Sequence, residues 1–434
     1  MQSVQAGSRT LIRHSYSTDG NHQLTRSDYG NGDSVSYGYD SLGRTTSVRY
    51  EDGAQVDYTY DNNGNLGLLT DSASRRRTQY FYDFQDRLMR WEQSGSGYAN
   101  SVTWGYDDNN NLSSQKQTLN GTTYTTSYTY DKDNRLTKTT EGTVSAGYTY
   151  DALGQLVQIN DHSDTRSGEN GTTWKYTYDL GGNILKKERF AYADTTTPLE
   201  TVTYTYGDAN WRDKLTAVNG STICYDAIGN PLNDGTWTYT WQNGRQLQKM
   251  QKSGVTAEFV YNADGLRVQK TVNGVATKYT LHGKNVVHMT SGADELHIFY
   301  DAQNRPAVVV YNGTAYAYVK SLQGDIVAIL DENGNAVVSY GYDAWGAPLW
   351  CTGELAETLG KVQPFRYRGY VFDEETGLYY LRSRYYNPGW GRFVNADATE
   401  LIAVNGGLLE ANVFAYCSNN PIARLDPNGQ LWLE

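Results

Sequence analysis

The sequence predicts an all-β protein in which antiparallel β-hairpins follow one another and end in a distinct C-terminal module. Three observations lead to this prediction: a short Tyr-Asp phrase recurs along the chain, Tyr and Thr alternate before it, and helical periodicity is nearly absent. In its regular part the phrase recurs about every 20 to 28 residues, a period typical of repeat arrays. Each phrase therefore marks one unit of a continuous wall.

The phrase consists of an aromatic residue, Asp, two variable residues, Gly, and then Arg or Asn. Close copies begin at Tyr39, Tyr60, Tyr150, Tyr178, Tyr225, Tyr261 and Tyr342, and looser copies begin at Tyr82, Tyr106, Tyr130 and Tyr300. An Asp side chain accepts hydrogen bonds from backbone N–H groups two residues further on, and Gly or Asn tolerates positive φ. The phrase therefore predicts a hairpin turn, and the pair after the Gly, such as Asn65-Leu66, opens the next strand.

Alternating Tyr and Thr predict strands in residues 58–60, 128–130, 148–150, 176–178 and 204–206. Successive side chains of a strand point to opposite faces, so the tyrosines of each triplet share one face and the Thr lies on the other. We expect neighbouring hairpins to cover the tyrosine face. The best helical candidates are two short segments, residues 353–359 and 408–411.

The composition fits a wall better than a single conventional core. Hydrophobic residues make up 38% of the 434-residue chain, and its mean hydropathy is -0.66, but it contains 38 Tyr, whose rings can be covered while the hydroxyl stays paired. The formal net charge of -11 argues against nucleic acid as a partner. We interpret the one basic cluster, residues 75–77, as a solvated loop.

Cysteine usage indicates neither a disulfide framework nor a zinc site, because Cys224, Cys351 and Cys417 are odd in number and far apart. We interpret the six histidines as structural or surface residues and predict no metal and no cofactor. No segment reaches the length of a membrane span, and the N-terminus lacks a signal-like apolar stretch. Since the chain starts within repeat-like sequence, we expect a C-terminal piece of a longer exported chain.

Repeat regularity and residue composition divide the chain into three zones. Residues 1–275 carry regular repeats, residues 276–350 carry longer and less regular ones, and residues 351–434, which we call the C-terminal module, are dense in aromatic residues, Arg and Gly. The ordered motifs of the module are Arg366-Tyr367-Arg368-Gly369, Asp373, residues 376–380, Arg382, Arg384-Tyr385-Tyr386, Gly391-Arg392-Phe393, Asp397, Asn419-Asn420-Pro421, and Asp426-Pro427 before Gly429.

On these phrases and motifs, the chain resembles the Rhs family of YD-repeat proteins, and its C-terminal module is similar to the Rhs repeat-associated core. The resemblance implies a spiralling antiparallel β-hairpin array, a hollow β-cocoon shell closed by the C-terminal core domain. In that family the shell encloses a C-terminal toxin polypeptide, and upstream shell or secretion-associated domains can precede it. A bacterial protein that is secreted or displayed at the cell surface is therefore expected.

The resemblance also implies an intramolecular aspartyl protease in the core. Asp397 and Asp426 match the family's paired aspartates, and Arg384 matches its arginine; two carboxylates that share a site divide acid and base roles. The family's Pro-Asp-Pro is replaced here by Ala396-Asp397-Ala398. The cleavage region is expected at Gln430 or Leu431.

Each of these residues also has a structural interpretation. Asp426 could be a turn former, Asp397 could cap the segment after it, and Arg384 could be an ordinary ion-pair partner. The chain carries only five residues after Gly429. This is expected of a shell left after self-cleavage, of a truncated piece, or of an orphan core.

Two other function classes remain open on the sequence alone. Tyrosine-rich faces could stack against sugar rings, which would make the chain a cell-surface carbohydrate-binding or adhesion module. A glycosidase built on the scattered carboxylates is a weaker third hypothesis, because the repeat aspartates all occupy turn positions. The direction in which the tyrosines point distinguishes a closed shell from an open sugar-binding groove.

Overall fold

The computed structural model describes residues 2–6, 9–30, 32–72, 75–95, 98–119, 121–164, 171–301, 304–397, 412–430 and 432–433. Over these ranges the chain is nearly all β, which confirms the predicted fold class. The helix predicted at residues 408–411 and the expected cleavage position Leu431 lie outside the described residues. In the described ranges, no helix is long and apolar enough to cross a membrane.

Three sheets account for the strands in the described ranges. The first sheet comprises β1 (Gln2–Ala6), β2 (Arg9–Tyr16), β3 (Leu24–Tyr29), β4 (Ser34–Tyr39), β5 (Thr45–Tyr50), β6 (Gln55–Tyr60), β7 (Leu66–Asp71), β8 (Arg76–Tyr82), β9 (Leu88–Gly95), β10 (Tyr98–Tyr106), β11 (Leu112–Leu119), β12 (Thr122–Tyr130), β13 (Leu136–Glu141), β14 (Val144–Tyr150), β15 (Leu156–Asp161), β16 (Thr172–Tyr178), β17 (Ile184–Ala191), β18 (Glu200–Thr205), β19 (Ala217–Val218) and β20 (Ser221–Thr222).

The second sheet comprises β21 (Cys224–Tyr225), β22 (Pro231–Asn233), β23 (Thr238–Gln242), β24 (Gln246–Lys252), β25 (Val255–Tyr261), β26 (Arg267–Val272), β27 (Val275–His282), β28 (Asn285–Ser291), β29 (Asp294–Tyr300), β30 (Pro306–Tyr311), β31 (Thr314–Lys320), β32 (Ile326–Leu330), β33 (Ala336–Tyr342) and β34 (Pro348–Thr352). The third sheet, in the C-terminal module, comprises β35 (Val371–Asp373), β36 (Leu378–Tyr380), β37 (Tyr385–Asn387) and β38 (Arg392–Phe393).

Within each sheet, every strand pairs antiparallel with its neighbours in sequence, as a succession of hairpins requires. In the seven repeats from Tyr39 to Tyr178, the register shifts immediately before the phrase tyrosine. Such bulges increase the right-handed twist of a strand pair. Their regular recurrence is the local feature that fits the predicted spiral. The change from the first sheet to the second falls between Thr222 and Cys224, whereas the zone boundary at residue 275 stays a prediction.

The phrase tyrosines fasten each hairpin to the preceding one. Ten of them donate their hydroxyl, at 2.6–3.0 Å, to a backbone carbonyl at or next to the start of an earlier strand. Tyr60, for example, donates to Thr45. The arginine that ends a phrase adds a second link, since Arg44 lies 4.4 Å from the ring centroid of Tyr60.

The side-chain faces follow the predicted alternation. In the five Tyr-Thr-Tyr triplets the Thr is exposed, whereas the tyrosines are buried or half-buried. Tyr128, Tyr176 and Tyr204 belong to one hydrophobic cluster with Tyr379 and Tyr386 of the C-terminal module. The wall's aromatic face is therefore turned toward the module, which packs against it.

The predicted helix at residues 353–359 is wrong in its position. Residues 354–358 form turns, and a single helical turn, α1, spans Leu359–Val362. The backbone N–H of Leu355 donates to the carbonyl of Val337 at 2.9 Å, so the segment is held against the end of the second sheet rather than coiled on itself. Short 3-10 turns occur at Tyr367–Gly369 and Cys417–Asn419.

Candidate active site in the C-terminal module

The structure brings the three predicted site residues together. Arg384 directly precedes β37, Asp397 follows β38, and Asp426 begins the last described turn. The backbone of Asp397 is fixed by its N–H bond to the carbonyl of Val413 at 3.0 Å. The backbone N–H of Asp426 donates to the hydroxyl of Tyr370 at 2.9 Å.

Arg384 lies at the centre of this group. Its Nη2 lies 2.9 Å from Oδ2 of Asp397 and 3.6 Å from Oδ2 of Asp426. Its Nη1 donates to the carbonyl of Val413 at 3.0 Å, and its guanidinium carbon lies 3.5 Å from the ring centroid of Phe393. A buried guanidinium held in this way orients both carboxylates toward one nitrogen.

The turn around Asp426 places a peptide bond beside the guanidinium. Oδ1 of Asp426 accepts hydrogen bonds from the backbone N–H groups of Asn428, Gly429 and Gln430, at 3.3, 2.7 and 3.0 Å. The carbonyl oxygen of Gly429 accepts a hydrogen bond from Nε of Arg384. The two ends of the Gly429–Gln430 peptide bond are thus held by two of the three ionisable groups of the site, Arg384 and Asp426.

Ser383 is a site residue that the sequence analysis missed. Its hydroxyl oxygen lies 2.7 Å from the carbonyl oxygens of both Asn428 and Gly429, and its proton can be donated to either. Its backbone N–H also donates to Asn428 at 3.2 Å. Because Ser383 and Gly429 are far apart in sequence, only the folded chain reveals this second donor to the Gly429 carbonyl.

The two carboxyls of the site differ in their surroundings. The side chain of Asp426 is 3% exposed and that of Asp397 is 13% exposed. Burial raises the pKa of Asp426, although Arg384 and the three backbone N–H groups act in the opposite direction. Burial lowers the pKa of Arg384, but the ordinary value is so high that the group stays charged at neutral pH.

The other family motifs anchor the module to the wall. Asp373 is fully buried and forms a two-point ion pair with Arg267 of β26, at 2.6 and 3.0 Å. Lys270 of the same strand contacts Asp373 at 3.0 Å. Arg392 donates to Asn183 and Tyr206 at 3.1 and 2.7 Å. These contacts fix the module's third sheet between the two wall sheets.

A cavity of about 1070 Å³ lies beside the site, between the wall and the module. Tyr130, Tyr279 and Tyr300 line it from the wall, and Arg382 and Pro427 line it from the module. Pro427 directly follows Asp426, so the turn that holds the candidate site borders this space. The volume is at the scale of a small-molecule pocket, about 300–1,000 Å³, rather than of a folded domain.

Comparisons with known proteins agree with this architecture. The sequence profile of the family described as Teneurin YD-shell matches residues 145–422, more than half of the chain. The RHS Repeat profile matches residues 19–55, 39–76 and 106–143. The two profiles together cover most of the repeats and most of the C-terminal module.

Two curated relatives carry toxin or nuclease names. The chain is 37% identical over 292 residues to the tRNA3(Ser)-specific nuclease WapA of Bacillus spizizenii, a match that covers 65% of this chain and 12% of that protein. It is 26% identical over 360 residues to the toxin protein Tse5 of Pseudomonas aeruginosa, which covers 65% of this chain and 27% of that protein. The chain thus spans a minor part of each relative.

A solved structure shares the fold. The crystal structure of TcdB2-TccC3-Cdc42 superposes with a TM-score of 0.66 at 18% identity, over 97% of this chain and 25% of that one. At this identity the likeness concerns the fold alone.

Proposed function

This chain belongs to the Rhs-repeat and teneurin YD-shell family, and from that premise we propose that it forms part of a shell around a toxin-type polypeptide. The tyrosine face is covered by the C-terminal module, which supports a shell with distinct inner and outer surfaces. The nuclease and toxin names of the relatives support a toxin as the enclosed polypeptide. We infer that the protein acts outside the cytoplasm of the producing cell, as secreted or surface-displayed toxins do.

The proposed cargo requires more wall than these residues supply. The cavity of about 1070 Å³ beside the module has the volume of a small-molecule pocket, so a folded polypeptide does not fit into it. We therefore propose that additional shell segments complete the enclosure, as the low coverage of the relatives also suggests. Small-angle scattering of a longer chain should show a hollow particle; a solid or extended particle would contradict the enclosure.

The proposed chemistry of the module is hydrolysis of its own chain next to Gly429. The observation that carries it is that both sides of one peptide bond are hydrogen-bonded by site residues. Arg384 and Ser383 donate to the carbonyl of Gly429, while Asp426 accepts from the N–H of Gln430. Donors aimed at a carbonyl oxygen stabilise the negative charge that develops there when a nucleophile attacks. The Gly429–Gln430 bond is the best placed, within the cleavage region expected from the sequence.

The roles follow from the different surroundings of the two carboxyls. Asp397, paired with Arg384 and more exposed, is the ionised base that takes a proton from water. The water oxygen bonds to the carbonyl carbon of Gly429 as the C–N bond breaks. Asp426, whose raised pKa favours the protonated form, gives its proton to the departing nitrogen of Gln430. The products are a carboxylate at Gly429 and a new amine at Gln430.

The test uses the full chain extended beyond Glu434 by a reporter polypeptide, with release followed by gel electrophoresis. Asp397→Asn and Asp426→Asn should each leave the fusion uncut while circular dichroism shows an unchanged β fold. Asp61→Asn, in an exposed repeat turn, is the matched control and should cut normally. Normal release in both module variants would remove the protease proposal and leave the shell proposal standing.

The carbohydrate-binding alternative is not favoured by the tyrosine positions. Sugar stacking needs exposed ring faces, whereas the wall's tyrosines are largely covered and their hydroxyls are used between hairpins. Tyr124, which is exposed, is an exception on β12. Glycan-array binding by the folded chain that is lost in Tyr124→Ala would restore the alternative.

A further inference from the structure

A group of two histidines and a glutamate lies on one face of the second sheet and shares no residue with the candidate active site. His288 of β28 and His297 of β29 are directly opposite each other in the antiparallel register, with ring centroids 4.6 Å apart. Glu295 lies two residues before His297, so its side chain is on the same face of the strand. The hairpin therefore places three potential ligands on one surface.

Their ligand atoms converge. Nε2 of His288 lies 3.0 Å from Oε1 of Glu295, and Nε2 of His297 lies 3.7 Å from the same oxygen. All three atoms lie within 4.8 Å of one another, and in the part of the chain that the structure describes this is the one His, Cys, Asp or Glu group that meets this criterion. A small movement of each side chain would place all three at metal-ligand distance from one ion.

Asp33 supplies the second feature of a built site. Its Oδ2 lies 3.2 Å from Nδ1 of His288, on the opposite side of the ring from Glu295. A neutral imidazole carries one N–H, so when Nδ1 donates to Asp33 the lone pair of Nε2 points at Glu295. In that tautomer Nε2 and the carboxylate oxygen are two acceptors that face each other, an arrangement that a bound cation stabilises. A carboxylate behind a metal-binding histidine commonly fixes its tautomer and orientation in this way.

We propose that His288, His297 and Glu295 bind one zinc ion, with Asp33 orienting His288. Two imidazole nitrogens and a carboxylate oxygen form a ligand set that suits zinc better than calcium or magnesium. A water molecule would complete the four-coordinate set. The side chain of Glu295 is 57% exposed, which gives the ion a path of entry.

The site has a structural consequence because Asp33 belongs to the other wall sheet. It lies in the turn between β3 and β4, which Tyr29 also ties to the second sheet through a hydroxyl bond to the carbonyl of Leu281 at 2.9 Å. A metal held by β28 and β29 therefore strengthens the contact between the first repeats and the second sheet. The spacing of His288, Glu295 and His297 in sequence is no recognised zinc pattern, so the pairing of the two strands is what reveals it.

The experiment is isothermal titration of zinc chloride alone into the full chain after treatment with a chelator. Cys224 and Cys351 are exposed, and thiolates are zinc ligands, so all proteins carry Cys224→Ser and Cys351→Ser to remove that source of binding. We expect one ion per chain and a zinc-dependent rise in the thermal midpoint. Both should disappear in His297→Ala and Glu295→Gln, whereas affinity should fall by about 10 to 100-fold in Asp33→Asn.

His162→Ala is the matched control, because His162 stacks on Tyr192 and lies outside the group. It should bind zinc as the parent does. The proposal is overturned if the folded parent takes up no zinc, or if Glu295→Gln, a change at an exposed position, binds it with unchanged affinity. In either case the contacts of His288 with Asp33 and Glu295 serve only to hold the hairpin against the neighbouring turn.

Discussion

An exposed repeat turn and the buried turn of the module use nearly the same local geometry for different purposes. In the repeat, Oδ1 of Asp61 accepts the N–H groups of the residues two and four positions later, at 2.9 and 2.8 Å, and Gly64 has a φ of 93°. In the module, Asp426 accepts the corresponding N–H groups at 3.3 and 3.0 Å, and Gly429 has a φ of 75°.

The difference lies in the surroundings. Desolvation acts to raise the pKa of Asp61, but the hydrogen bonds from its own turn outweigh it, and the net pKa is lowered. At Asp426 the desolvation of a buried site outweighs both the same kind of hydrogen bonds and Arg384, and the net pKa is raised. The same turn is therefore a structural element on the surface and a candidate proton donor in the interior.

The largest effect is expected from removing a buried carboxylate that anchors the module. Asp373→Ala leaves Arg267 and Lys270 without their shared partner, so the free energy of unfolding should fall by about 3–5 kcal/mol. Urea denaturation followed by tryptophan fluorescence measures it. Asp28→Ala, which breaks an exposed ion pair with Arg26, is the control and should cost less than about 1 kcal/mol. Equal losses would contradict the difference between the two regions.

The two glycines give the next largest effect. A Cβ on Gly429 would lie 2.8 Å from the carbonyl oxygen of Leu381, so Gly429→Ala displaces the peptide bond and should slow self-cleavage by about 100-fold. A Cβ on Gly64 meets only a side-chain atom of Arg44, at 3.6 Å. Gly64→Ala should therefore leave cleavage unchanged and cost about 1–2 kcal/mol of stability. Time courses of the reporter fusion measure the cleavage rates. Equal rates in the two variants would contradict a role for the module turn in positioning the scissile peptide bond.

A smaller effect is expected from pH. The protonated form of Asp426 is the proposed acid, and its raised pKa lies above the ordinary 3.8. Cleavage should therefore speed up as pH falls from neutral toward that pKa, by up to about tenfold per unit. The folded chain binds this proton more tightly than the unfolded chain does. The contribution of Asp426 to the free energy of unfolding therefore falls as pH rises through the pKa of the folded state. A rate that does not change, or that falls with acidification, would assign the acid role elsewhere.

The smallest effect concerns a single link of the wall. Tyr60→Phe removes only the hydroxyl that donates to the carbonyl of Thr45, so unfolding should become easier by about 0.5–1.5 kcal/mol. Thermal denaturation measures the change. Tyr124→Phe, at an exposed tyrosine, is the control and should have no measurable effect.

Local features of the fold could be predicted because they depend on neighbouring residues. The Asp and Gly of each phrase form the turn, and the alternation of Tyr and Thr decides which side of the strand is covered. The helix at residues 353–359 was predicted wrongly because its helical pattern is outweighed by a backbone bond to β33. Tertiary contacts of this kind are invisible in a short window of sequence.

The site was predictable only where family motifs marked it. Arg384, Asp397 and Asp426 were predicted from the resemblance, and the structure places them together. Ser383 carries no motif and becomes a site residue through a contact across the module. His288 likewise gains its partners through strand pairing and through a turn of the other sheet. Long-range contacts therefore account for what the sequence alone did not predict.

The most direct measurement of the central claim is the intact mass of the products from the reporter fusion. The account predicts an N-terminal product that ends at Gly429 and a released polypeptide that begins at Gln430. A product that ends at Gln430 or Leu431 would keep the protease and move the scissile bond. A fusion that stays intact in the folded wild-type chain, or one that is cut equally when Asp426 is Asn, would contradict the account.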